Sequence, residues 1–127
     1  MNSAANAYAK VAKAAPLPPR ELEATLLIKA AGKLQAAHDQ LESGAAPLDD
    51  ALAFNRQLWT IFATSATTPE NPLPAKVREN VANLAVFMLT EILAASTRPS
   101  KQALTTMINI NRELAAGLSE QAPQPAA

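Results

Sequence analysis

Ten prolines set the limits within which this 127-residue chain can fold. They stand at positions 16, 18, 19, 47, 69, 72, 74, 99, 123 and 125, and none interrupts a stretch of periodic hydrophobicity. Proline lacks a backbone N–H and clashes with the preceding turn inside a helix, yet fits a first turn. Between the prolines the sequence is rich in alanine and leucine and holds 3 glycines, a composition that favours helix. Cutting at the prolines leaves five helices, at about residues 6–14, 19–43, 48–65, 74–95 and 100–118. The expected fold is therefore all-α, a single small bundle of one short N-terminal helix and four longer ones over residues 1–118. Residues 119–127, an Ala/Pro/Gln stretch without core-forming side chains, are expected to be a disordered tail.

The segment from Leu48 to Phe62 is the most strongly two-sided. At about 100° per residue, Leu48, Ala51, Leu52, Phe54, Leu58, Trp59, Ile61 and Phe62 share one half of a helix. Asp49, Asp50, Ala53, Arg56, Gln57 and Thr60 share the other. Leu58, Trp59 and Phe62 are expected core anchors. Asn55 projects into the apolar half, and a buried amide without partners costs about 1–3 kcal/mol. The last helix repeats the pattern: Leu104, Met107, Ile108, Leu114, Ala115 and Leu118 form its apolar face, with Asn111 in the middle. Each amide either bonds a backbone carbonyl or the other asparagine, fixing packing register, or meets a partner's backbone.

Three further features follow from spacing. Leu27, Ala30, Leu34, Ala37 and Leu41 form a narrow seam, suited to packing within the chain or to a dimer contact, so oligomeric state stays open. In the 74–95 helix, Val77, Val81, Leu84, Ala85, Met88, Leu89 and Ile92 form the main face, with Leu84 and Met88 as core anchors. Ala82, Val86 and Leu93 widen the apolar arc past half the circumference, which marks this helix as the centre of the fold. Phe87 falls on its polar side, as a scattered surface apolar or as part of a binding patch. The first helix, with Tyr8, Val11, Ala12 and Ala15 opposite Lys10 and Lys13, is too short to stand alone and must dock on its own chain or on a partner.

Composition excludes several function classes. With 11 basic and 11 acidic residues the formal net charge is +0, and aromatics are 4%, so direct nucleic-acid binding lacks both a basic field and stacking platforms. No cysteine is present for a disulfide or a thiolate metal site, and no cofactor motif occurs. The N-terminal residues have neither a basic nor an apolar signal region, and no unbroken run of about 18 apolar residues exists, so the expected location is the cytoplasm without membrane insertion. The single histidine, His38, lies among Gln35, Asp39 and Glu42 on a polar face, and no serine has a partnered histidine. Asp49 and Asp50 are adjacent and point apart, as helix-start charges rather than a metal pair. No enzymatic activity is expected.

Asn55-Arg56-Gln57-Leu58-Trp59 carries a more specific signal. Around it stand Tyr8 in an Ala-rich first helix, Pro19-Arg20-Glu21-Leu22-Glu23, Asn71-Pro72-Leu73-Pro74, Asn83-Leu84-Ala85-Val86-Phe87, and Ile110-Asn111-Arg112 followed by Gly117-Leu118. In order and spacing these resemble the FlaF family, small flagellar biosynthesis regulators of alphaproteobacteria, over about residues 6–118. The resemblance implies a non-enzymatic cytoplasmic protein acting in flagellin synthesis and secretion, with flagellin as partner and a second regulator, FlbT, as another. It further implies a chaperone-like role, since flagellin's terminal segments are amphipathic helices that need shielding before export. Tyr8, Arg56 and Phe87 are the expected partner-binding residues on this reading. The alternative is post-transcriptional control of flagellin translation, indirectly through FlbT or on the flagellin message.

Overall fold

A computed structural model describes residues 19–44 and 46–121. It contains α1 (Pro19–Asp39), a 3-10 turn (Leu41–Ser43), α2 (Ala46–Ala66), α3 (Ala75–Thr97) and α4 (Lys101–Gln121), with no strand among the described residues. The expected first helix, with Tyr8, lies outside the described residues.

The boundaries follow local chemistry. Pro47 sits in the first turn of α2, where its missing N–H has no helical partner to lose. Before α2 the chain turns at Gly44, whose φ of 149° is a conformation that side chains disfavour. The link from α2 to α3 is built around Asn71. Its Nδ2 donates to the Ser65 carbonyl at 3.0 Å and to Ser65 Oγ at 3.1 Å, and its Oδ1 accepts from the Leu73 amide at 2.9 Å. Ser100 caps α4: its Oγ accepts from the Ala103 amide at 3.1 Å. That helix runs to Gln121, three residues past the expected end of the domain at 118.

The short connections make chain-consecutive helices antiparallel. Arg20 and Glu23 at the start of α1 consequently meet Ser65 and Ala66 at the end of α2, Val81 near the start of α3, and Leu118 near the end of α4. The closest packing is α1 on α4, then α2 on α3, then α1 on α2; α3 and α4 touch only lightly. Both α1 and α2 thus have broad neighbours on two sides, and of the two the more heavily packed is α1. Besides the seam residues Leu27, Ala30, Leu34 and Ala37, it buries Leu22, Ala24, Leu26 and Ala31, and its alanines admit close helix approach. The seam is consumed within the chain, and Leu41, in the 3-10 turn, is half-buried.

The expectation that the 74–95 helix forms the centre is corrected. That helix, α3, buries one stripe, Val81, Ala85, Met88, Ile92 and Ala95, against α2. Its apolar arc is wider than the neighbours available to cover it, so Val86 and Leu93 stay 68% and 73% exposed. The centre is instead Trp59 on α2, fully buried with Phe62 edge-on at 5.5 Å between ring centroids. Phe54, also on α2, is buried beneath α1, with Lys29 and Lys33 Nζ 5.6 and 5.3 Å from its ring centroid. Lys33 also bonds Asp50 at 2.8 Å and fastens α1 to α2 from outside.

One further difference concerns membranes. By length and composition α3 qualifies as a helix able to cross a bilayer, with mean hydropathy 1.3 over its most apolar stretch, of which 28% is buried. No unbroken apolar run marks this helix in the sequence because Asn80, Asn83, Thr90 and Glu91 interrupt it.

Candidate functional site

Two features depart from the ordinary economy of a helical bundle: a polar chain inside the core and an apolar groove outside it. The core feature joins α1, α2 and α4. Trp59 Nε1 donates to Asn111 Oδ1 at 2.9 Å, and Asn111 Nδ2 donates to Asn55 Oδ1 at 2.8 Å. Asn55 Nδ2 donates to the Ala51 carbonyl at 2.8 Å and the Ala30 carbonyl at 3.3 Å. Trp59, Asn55 and Asn111 are all 0% exposed. Each amide therefore spends its polarity on the other and on its own chain, leaving neither to greet a partner. Such a chain of bonds is satisfied in one relative placement of three helices and penalises every other placement.

Outside, the faces of α2 and α3 diverge and leave an open groove of about 530 Å³. Leu52 and Ala53 of α2 and Leu89, Ile92 and Leu93 of α3 form its walls. Asp49, Arg56, Gln57, Thr60 and Ser96 give it a polar margin. Asp49, Ala53, Arg56 and Thr60 recur at steps of three and four, so they follow one exposed stripe of α2. Val86 precedes Leu93 by seven residues and extends the apolar wall along α3.

The structure does not bring the expected partner-binding residues together. Arg56 is exposed on the groove margin. Phe87 is 42% exposed but points elsewhere on α3, about 120° round the helix from Leu93 and about 160° from Leu89. Tyr8 lies outside the described residues. Of the expected core anchors, Leu58, Trp59, Phe62 and Met88 are buried, and Leu84 is only half-buried because α4 stands off from α3. Leu93 in the groove and Val86 beyond it on the same stripe of α3 did carry a sequence signal, the over-wide apolar arc, but an arc alone does not distinguish extra neighbours from none.

At the opposite end of polarity, Arg20 and Glu23 form an ion pair at 2.6 Å with side chains 10% and 9% exposed. Burial pushes the Glu23 carboxyl above its ordinary range, against the opposing pull of Arg20. Elsewhere His38 Nδ1 lies 3.0 Å from Asp39 Oδ1, and that hydrogen bond, with another from Gln35, draws the exposed Asp39 carboxyl below its usual range. Among the described residues there is no cluster of three or more His, Asp or Glu able to hold a metal.

An all-α bundle with a Trp-Asn-Asn core and an apolar external groove is not by itself diagnostic of a family; the sequence comparison decides. Residues 4–118 match the family described as Flagellar protein FlaF. The chain belongs to the FlaF family. No curated protein and no solved structure matches it. In this FlaF chain the match spans all of α1, α2 and α3 and most of α4, so groove and polar chain both lie within the family's extent. It is accordingly a flagellar protein.

Proposed function

We propose that this FlaF-family protein is a non-enzymatic cytoplasmic chaperone or adaptor for flagellin, holding an amphipathic terminal helix of flagellin in the groove between α2 and α3. The observation that carries the reading is the uncovered apolar wall of α3: Leu93 and Val86 are the two most exposed large hydrophobics among the described residues. An amphipathic helix laid in a groove buries such residues through its own i, i+3, i+4 and i+7 anchors. Covering a leucine side chain is worth about 1.5–3 kcal/mol at full burial, so each such contact tightens the complex by about one to two orders of magnitude. Arg56 on the margin supplies a partner for a carboxylate on the polar face of the incoming helix, and Asp49 one for a cation.

The test is calorimetric titration of the full chain with flagellin from the same organism, intact and trimmed at either end. Saturable binding, lost with one flagellin terminus, is the expected result. Absence of binding to flagellin together with binding to FlbT would overturn the reading and move the protein to control of translation.

A further inference from the structure

A cavity of about 530 Å³ opens where the start of α1 meets the end of α2 and the link to α3. Arg20, Ser65 and Asn71 line both it and a much smaller cavity of about 10 Å³ that also touches Glu23. Ile61 and Pro72 give the larger cavity an apolar wall, and Glu70 stands exposed at its rim.

Its hydrogen-bonding groups are unevenly spent. Thr60, Thr64 and Thr68 each donate their hydroxyl proton to the carbonyl one turn back, at 2.7, 3.1 and 2.9 Å, and so present only oxygens. Asn71 Nδ2 spends its protons on the Ser65 carbonyl and on Ser65 Oγ. Ser65 Oγ thus accepts, and among the described residues its own proton is donated to nothing. Arg20 holds the larger surplus. Its side chain is nine-tenths buried, with Nη1 2.6 Å from Glu23 Oε1. That contact is misaligned for a hydrogen bond: both atoms are closed off from solvent, and neither has a hydrogen-bond partner among the described residues. Nε and Nη2 carry further N–H donors; among the described residues they too donate to nothing, and neither is closed off. A cation held this far from water needs acceptors beyond one carboxylate oxygen.

We propose that this cavity binds a carboxylate carried by a peptide, received by the free edge of the Arg20 guanidinium and by the Ser65 hydroxyl. A carboxylate only accepts, and its two oxygens match an arginine edge bidentately. One arginine suits a monoanion, whereas a phosphate group, with about 1.5–2 negative charges at pH 7, is opposed by Glu70 at the rim. Ile61 and Pro72 suit the aliphatic stem that carries the carboxylate. Two sources offer this chemistry, a chain's C-terminus and an acidic side chain. Among the described residues the cavity shares only Thr60 with the α2–α3 groove, and the inference stands independently of the flagellin reading.

The experiment is NMR titration of the full chain with acetyl-Ala-Leu-Leu bearing a free C-terminal carboxylate, the same peptide as its C-terminal amide, acetyl-Ala-Glu-Leu as its amide, and inorganic phosphate. Saturable shifts of Arg20 Nε–H and of the Ser65 and Asn71 amides are expected with at least one carboxylate peptide, at a dissociation constant below about 10 mM, and the peptide that responds identifies the source. Arg20→Gln combined with Glu23→Gln, which leaves no charge stranded, is expected to weaken binding about tenfold or more, and Ser65→Ala to weaken it by a smaller factor. The Trp59 indole N–H resonance, held in place, certifies the fold of each variant. An equal response to the carboxylate-free amide, a response to phosphate alone, no saturable shift with either carboxylate peptide, or undiminished affinity in the double variant would each overturn the proposal. Should the double variant lose the indole resonance, Ser65→Ala decides, and unchanged affinity there would overturn it.

Discussion

Replacing Asn111 with leucine removes a side chain of similar size but strands two polar atoms in a site without water access. Trp59 Nε1–H loses its acceptor at 2.9 Å, and Asn55 Oδ1 loses its donor at 2.8 Å. Each orphaned group costs about 1–3 kcal/mol, so Asn111→Leu is expected to destabilise the fold by about 2–6 kcal/mol. Asn55→Leu strands Asn111 Nδ2 and removes the bonds to the Ala30 and Ala51 carbonyls, at a cost of about 1–3 kcal/mol or more. In the double variant neither amide remains to be stranded, and only the indole N–H is left unsatisfied. The double variant is therefore expected to be more stable than the sum of the singles implies, by about 2 kcal/mol or more. The assay is urea unfolding followed by far-UV circular dichroism and by Trp59, the chain's single tryptophan and fully buried. A single variant within about 0.5 kcal/mol of the parent, or singles that add within that margin, would refute the claim that these amides act as one unit.

Other consequences are local. The raised carboxyl of Glu23 means that between the unfolded value of 4.5 and its folded value the native state holds a proton that the unfolded chain has released. Its contribution favours the fold below pH 4.5 and is lost as the pH rises through the folded value; denaturation midpoints of Glu23→Gln across that window are expected to show a flatter slope than the parent. Gly44→Ala meets no steric obstacle but forces φ near 149°, and thermal unfolding is expected to report a loss of about 1–3 kcal/mol. Ser100→Ala removes the cap on the Ala103 amide, and the same measurement is expected to give a loss of about 1 kcal/mol.

What could be read in advance was whatever depends on local chemistry. Proline positions delimit all four described helices, and the 48–65 helix buries the side chains that its period selects, except Ile61, which is half-buried. Asn55 and Asn111 stood out as polar residues on apolar arcs, and burial leaves such amides few alternatives to bonding each other or a carbonyl. The partners themselves were not legible, because Asn55 and Asn111 are 56 residues apart and nothing local sets which helix faces which. The same gap explains the misplaced centre. A helical arc reports how much apolar surface a helix has, not how many neighbours the fold supplies, so the central place expected of α3 falls to α2, with α1 packed against it. The groove is the remainder of that mismatch: apolar surface on α3 that no helix among the described residues covers. Arg56 and Phe87 share a polar label in sequence but stand on separate surfaces, a distinction that only the packing of α3 on α2 creates.

The central claim is that flagellin is held at the α2–α3 groove, and the affinity of flagellin for Leu93→Asp, measured beside Phe87→Ala, tests it most directly. A charge at Leu93, which is 73% exposed, leaves the fold intact while placing a carboxylate in the apolar wall. The account predicts at least a tenfold weakening for Leu93→Asp, about 1.4 kcal/mol or more, and no change for Phe87→Ala. Unchanged affinity for Leu93→Asp with loss on Phe87→Ala would contradict it and place the binding surface on the opposite flank of α3.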